Sequence, residues 1–133
     1  MTGTERVADI MTRDLISVRE DDPLAEAQAR IQRARVSGLP VLDARRRVVG
    51  VVSETDLVAL CRYDADAPDG WHRRRRVRDA MSSPALTIAA WAPVRDAARL
   101  MLEYRVHRLV VVDDDHRPMG IISTTDFVRL LAG

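Results

Sequence analysis

Lysine is absent: all 21 basic residues of this 133-residue chain are arginine. Arginine and lysine do not exchange freely at bidentate sites, so a wholesale replacement is a bias of composition rather than the mark of one site. Aromatic residues are scarce, at 4 %, which removes the stacking platforms that single-stranded nucleic acid needs. Cysteine occurs once, as Cys61. That excludes an intramolecular disulfide and a thiolate metal cluster, and its apolar helical surroundings predict a small buried hydrophobe. No run of about 20 apolar residues is present, so no membrane-spanning helix is expected. Met1 to Asp9 is polar and lacks the apolar stretch of a signal peptide, which makes the cytoplasm the expected location. A net charge of +1 gives the whole molecule no strong electrostatic case for nucleic acid, so any such case must be local. Catalytic patterns are missing too. There is no HExxH or Walker sequence, no nucleophile elbow, and His72, His107 and His116 do not have zinc-ligand spacing. The residues offer binding rather than chemistry, with no resident cofactor or metal.

What the chain does have is a repeat. Val106-His107-Arg108-Leu109-Val110-Val111-Val112-Asp113, running on to Gly120-Ile121-Ile122-Ser123-Thr124-Thr125-Asp126, matches Val36 to Asp43 and Gly50 to Asp56 at a constant offset of 70 residues. Pro23 with Pro93 and Met11 with Met81 keep the same offset. One unit thus appears twice without insertion, and such units usually bury their apolar faces on one another. The length suits about one domain, built as a first repeat over 7–62, an arginine-rich linker over 63–76, and a second repeat over 77–132.

Val7 to Met11 predicts one helical turn and Leu15 to Val18 a short strand. Asp21-Asp22-Pro23 predicts a helix start, an Asp cap followed by Pro at the first helical position. Leu24, Ala27, Ile31 and Ala34 then form one apolar helical stripe. Gly38 to Leu42 and Val48 to Val52 read as a hairpin around the polar turn Asp43 to Arg47, and Ser53 opens a helix bearing Leu57, Val58, Leu60 and Cys61. The second unit repeats this with Leu86 to Ile88, a helix from Pro93 to Tyr104, strands beginning at Leu109 and Met119, and a helix from Thr124 to Leu131. The predicted class is α/β, two β-α-β-β-α repeats packed sheet to sheet about a pseudo-twofold axis. Apolar positions on the last helices, including Phe127, Val128, Leu130 and Leu131, predict a homodimer.

Three motifs have both a plain and a functional reading. Ser53/Asp56 and Ser123/Asp126 have capping-box spacing, which ties up orphan N–H donors. The same geometry favours an anion at a helix N-terminus, with hydroxyls as added donors and a carboxylate to accept from ribose. His107-Arg108 stands where a strand begins; it is either solvated or a phosphate fork. Its counterpart in the first unit is Ser37-Gly38. Arg73 to Arg76 is either a solvated run, expected as a mobile loop, or a phosphate or nucleic-acid contact beside Trp71. Asp113-Asp114-Asp115 suggests a divalent cation, but hairpin-turn chemistry explains it more cheaply.

These residues resemble a known family. A D-x-M lead, a short strand, a helix, a V-x-x-L-x-V-x-D hairpin and G-h-h-S-x-T-D, all twice, resemble the cystathionine-beta-synthase (CBS) domain in a tandem pair, or Bateman module, over residues 7 to 132. The stretch Val106 to Asp126 is similar to the nucleotide-binding repeats of the AMP-activated protein kinase gamma subunit. The resemblance implies a stand-alone regulatory, energy-sensing module that takes AMP, ADP or ATP in clefts between its repeats and signals to a partner protein. It implies that Asp126 holds ribose, with Ser123 and Thr125 near ribose or phosphate, that Ile16, Val36 and Ser37 line the base, and that His107 and Arg108 reach phosphate. The mirrored cleft would use Ser53, Thr55, Asp56, Leu86 and Val106. The competing readings are a ligand-free dimerisation or interaction module and a nucleic-acid binder acting through Arg73 to Arg76.

Overall fold

A computed structural model of the chain describes residues 5–63 and 74–133. Its elements are α1 (Val7–Ile10), β1 (Val18–Arg19), α2 (Leu24–Ala34), β2 (Gly38–Leu42), β3 (Val48–Ser53), α3 (Glu54–Tyr63), a 3-10 turn (Val77–Asp79), β4 (Thr87–Ala89), α4 (Val94–Tyr104), β5 (Arg108–Val112), β6 (Pro118–Ser123) and α5 (Thr124–Ala132). Two three-stranded sheets result, in the orders β1-β2-β3 and β4-β5-β6. In each the first pair is parallel and the second antiparallel. The β-α-β-β-α order dictates this: a helix crossover returns the chain parallel, and a hairpin returns it antiparallel. No helix among the described residues is long and apolar enough to cross a membrane.

The chain forms two compact units, Ile16–Ala85 and Leu86–Gly133 joined by the leading segment through Leu15. This division differs from the sequence repeats, because each repeat's leading segment has moved to the other repeat's sheet. Hydrogen bonds explain the exchange. Thr12 N–H donates to the Ile121 carbonyl at 2.8 Å, and Ile121 N–H returns a bond to Thr12 at 2.9 Å. Val7 N–H donates to the Ala92 carbonyl, and Val94 N–H to that of Glu5. In the Ile16–Ala85 unit the mirrored bonds join Ser82 with Val51, Val77 N–H with Asp22, and Leu24 N–H with Arg75. Val7 and Val77 are fully buried, and burying such a side chain contributes roughly 1.5–3 kcal/mol.

Each unit has its own core. One gathers Val18, Leu24, Ala27, Ile31, Leu39, Val41, Val52 and Val77. The other gathers Val7, Met11, Ile88, Ala97, Met101, Leu109, Val111 and Ile122. The i, i+3, i+7 stripe of α2 is the one the sequence predicts, and β3 alternates buried and half-buried positions as a strand with one inward face should.

Several local expectations are corrected. Strand pairing begins at Val18, not Leu15, because only Val18 and Arg19 pair with β2; the Ser17 carbonyl is taken by the Arg30 guanidinium instead. Asp22 does not cap α2. Its carboxylate accepts from Arg19 N–H at 2.9 Å, Pro23 occupies the N-cap position, and the Arg75 carbonyl satisfies the Leu24 N–H. Cys61 is exposed rather than buried, because α3 turns Leu57 and Leu60 towards the core. The end of the arginine run is docked rather than a loose loop: Arg76 pairs with Pro23, and its N–H is held by Asp79 at 2.8 Å. Trp71, His72 and Arg73 lie outside the described residues.

Candidate functional site

The site residues sit where β3 and β6 pass into α3 and α5. In register, Arg108 stands opposite Ser123, and Gly38 opposite Ser53. The Thr124 N–H donates to the His107 carbonyl at 3.0 Å, as Glu54 N–H does to that of Ser37 at 2.9 Å. Each helix therefore opens against the start of the neighbouring strand. One opening has exposed His107 and Arg108 beside it with Thr124 at the first helical position; the other has Ser37, Gly38 and Glu54. Sequence reasoning missed Glu54, whose carboxylate opposes an anion at that helix start.

The two aspartates act first as local ties. Asp56 Oδ2 accepts from Ser53 N–H at 2.8 Å and from Ser53 Oγ at 2.9 Å, while Asp56 N–H donates back to Ser53 Oγ at 3.1 Å. This is a complete capping box. Asp126 Oδ2 accepts from Ser123 N–H at 2.8 Å and Ser123 Oγ at 3.2 Å. Each aspartate's other oxygen faces the leading segment. Thr12 Oγ1 donates to Asp126 Oδ1 at 2.9 Å, and Ser82 Oγ to Asp56 Oδ1 at 3.1 Å. Arg129 adds a bond to Asp126 Oδ1 at 3.3 Å, where the first repeat has Ala59. Asp126, 2 % exposed, thus accepts four bonds among the described residues, about the capacity of a carboxylate, while Asp56 is half-buried and accepts three from them. The Thr12/Ser82 pair was visible in the sequence only as two hydroxyl residues at the repeat offset.

The unit holding Asp126 also holds Leu86, Val106, His107, Arg108, Ser123 and Thr125; Ile16, Val36 and Ser37 belong to the unit of Ser53, Thr55 and Asp56. Leu86 and Val106 pack on one core and Val36 on the other, whereas Ile16 is exposed. In Asp113-Asp114-Asp115 the first aspartate is engaged by its own hairpin turn. Asp113 Oδ1 accepts from Asp115 N–H and Arg117 N–H, both at 2.9 Å, and no group of metal-holding side chains occurs among the described residues.

A family profile described as the CBS domain matches residues 7–63 and 77–133. The crystal structure of the CBS-pair protein CBSX2 of Arabidopsis thaliana, solved in complex with AMP, is similar at 33 % identity and a TM-score of 0.80, covering 96 % of both chains. The cytosolic domain of the Mg2+ channel MgtE in complex with ATP is 26 % identical with a TM-score of 0.77, over 95 % of this chain and 48 % of that one. Inosine-5'-monophosphate dehydrogenase of Methanocaldococcus jannaschii is 28 % identical over 96 % of this chain, but the match spans only 24 % of the dehydrogenase. With the profile matched twice and the fold reproduced in CBS-pair structures, the chain belongs to the CBS domain family, as a tandem pair of CBS domains.

Proposed function

We propose that this chain is a regulatory module that binds an adenine nucleotide at the helix openings headed by Ser123 and Ser53 and passes its occupancy to a partner protein. The observation that carries the reading is the helix opening built twice, each time with a serine, a threonine and an aspartate on one turn. Such a helix N-terminus presents N–H groups and the positive end of the dipole to an anion. CBSX2 in complex with AMP and MgtE in complex with ATP support the choice of ligand.

The openings have unequal roles. Arg108, exposed beside Ser123, supplies a bidentate fork for phosphate, with His107 next to it. At Ser53 the same place holds Gly38, and Glu54 opposes the charge. Ribose recognition divides the other way. Among the described residues Asp56 keeps room for one further donor, while Asp126 must exchange the Thr12 hydroxyl for a ribose hydroxyl. Nucleotide binding at Ser123 therefore loosens the leading segment, which gives the module a means of reporting occupancy.

The same reading takes the module as a homodimer. Its support is the set of apolar side chains left uncovered on α3 and α5: Val58 is 68 % exposed, Val128 65 % and Leu131 71 %. A second reading, an interaction module with no ligand, is favoured by the fully engaged carboxylate of Asp126. Nucleic-acid binding through the arginine run is not favoured, since Arg75 and Arg76 are tied to the start of α2.

Calorimetric titration with AMP, ADP, ATP, NAD and S-adenosylmethionine tests the proposal. Saturable heat with at least one of the adenine nucleotides is expected; no heat from any of them leaves the ligand-free reading.

A further inference from the structure

The sheet of the Ile16–Ala85 unit has a polar concavity at the opposite end from Ser53. β2 runs from Gly38, paired with Ser53, to Leu42, paired with Val48 beside the hairpin turn. Four residue steps place the two ends roughly 13 Å apart. At the hairpin end lies a pocket of about 270 Å³ whose lining includes Arg19, Arg30 and Arg46. Ser17, Val18, Asp22 and Leu42 complete the lining.

The three arginines are not equivalent. Arg30 is fixed: its Nε donates to Glu26 Oε1 at 2.8 Å and its Nη1 to the Ser17 carbonyl. Arg19 and Arg46 are exposed, and among the described residues their guanidinium groups have no hydrogen-bond or ion-pair partner. Asp22, the one carboxylate in the lining, is used at Oδ2 to hold the Arg19 N–H at 2.9 Å. It thereby fixes the point from which the Arg19 side chain springs.

The second repeat is an internal control. At the matched positions it has Ala89 for Arg19, Ala92 for Asp22, Leu100 for Arg30 and His116 for Arg46. That repeat makes the same strands and helix with these residues, so the fold does not demand the arginines. With three guanidinium groups against Asp22, the lining carries an excess of positive charge. A guanidinium fork fits two oxygens of a tetrahedral oxyanion and stays charged at any physiological pH.

We propose that this pocket is a binding site for a phosphate group, held between Arg19 and Arg46 over the fixed Arg30, and separate from the helix openings at Ser53 and Ser123. The group comes either as inorganic phosphate or on a phosphomonoester.

Amide chemical shifts of the full chain, followed while sodium phosphate replaces sodium chloride at constant ionic strength, test this. Saturable shifts at Ser17 to Asp22 and Asp43 to Arg47 are expected. The double variant Arg19→Gln/Arg46→Gln should weaken them at least tenfold, with the rest of its spectrum unchanged because both side chains are exposed. Arg108→Gln should leave them as they are. Glycerol 3-phosphate in place of phosphate identifies the source: tighter saturation at the same amides assigns the site to an ester, and weaker saturation to the free ion. Shifts that fail to saturate, that persist in the double variant, or that are confined to Ser123 to Asp126 overturn the proposal. Failure of AMP to bind at Ser123 leaves it untouched.

Discussion

The Thr12 hydroxyl donates to the Asp126 carboxylate at 2.9 Å across 114 residues of chain. Its counterpart, Ser82 to Asp56 at 3.1 Å, crosses only 26. One tie therefore closes a loop of 114 residues and the other a loop of 26. In both, a hydroxyl from the leading segment meets the carboxylate that caps the last helix of a repeat.

Thr12→Val keeps the shape of that side chain and removes the donor. A hydrogen bond to a charged group contributes about 1.5–3 kcal/mol, and 1 kcal/mol moves the Tm of a domain this size by roughly 2–8 °C. Thermal unfolding should show a loss of several degrees for Thr12→Val and recovery in Thr12→Ser. An unchanged Tm in Thr12→Val would mean that Asp126 needs no partner from the leading segment.

Gly120 and Gly50 lie beneath the leading segments. A Cβ at Gly120 would stand 2.5 Å from the Thr12 carbonyl oxygen, and one at Gly50 would stand 2.7 Å from that of Ser82. Neither oxygen can retreat without breaking the paired bonds to Ile121 and Val51. Gly120→Ala and Gly50→Ala should each cost about 1–3 kcal/mol, as overpacking does. Amide exchange at Thr12 in the first variant and at Ser82 in the second should accelerate; unchanged protection would contradict the close approach.

The Asp43 carboxyl lies below the usual carboxylate range, held there first by the Arg47 N–H, against some desolvation, and then by the Arg47 side chain and the Arg45 N–H. A depressed folded value stabilises the turn above the ordinary carboxylate pKa, and that contribution is lost as pH falls through the folded value. Carboxyl chemical shifts against pH should therefore place the Asp43 midpoint below 3.8, the ordinary value. Asp43→Asn should remove this part of the acid sensitivity. A midpoint at or above the ordinary value would refute the turn's role.

Much of this was written in the repeat. The constant offset from Gly50 to Gly120 and from Asp56 to Asp126 fixed the hairpins and helix starts, because matched residues meet matched local constraints. What it left out was long-range pairing. Nothing in a local pattern tells that Thr12 bonds to Ile121, or that Leu24 N–H finds the Arg75 carbonyl and so needs no Asp22 cap. Cys61 is exposed for a related reason: an apolar helical stretch predicts burial only where its stripe is covered, and among the described side chains of α3 those packed on the core are Leu57 and Leu60. At the site, Arg108 stood out by its asymmetry with Gly38. Glu54 and Arg129 did not, since a charged residue early or late in a helix is ordinary.

The proposed homodimer has a direct consequence for mass. Light scattering at tens of micromolar should give twice the 14.9 kDa of one chain, and Val58→Glu with Leu131→Glu should return the monomer mass without loss of helix content. A monomeric wild type would remove the homodimer from the account.

Phosphate recognition by Arg108 is the central claim, and titrating AMP and adenosine into wild type and Arg108→Ala tests it most directly. The loss of a charged hydrogen bond worth roughly 1.5–3 kcal/mol corresponds to about a ten- to hundredfold change in affinity. The account predicts that loss for AMP in Arg108→Ala with adenosine affinity unchanged; equal AMP affinity in the two proteins would contradict it.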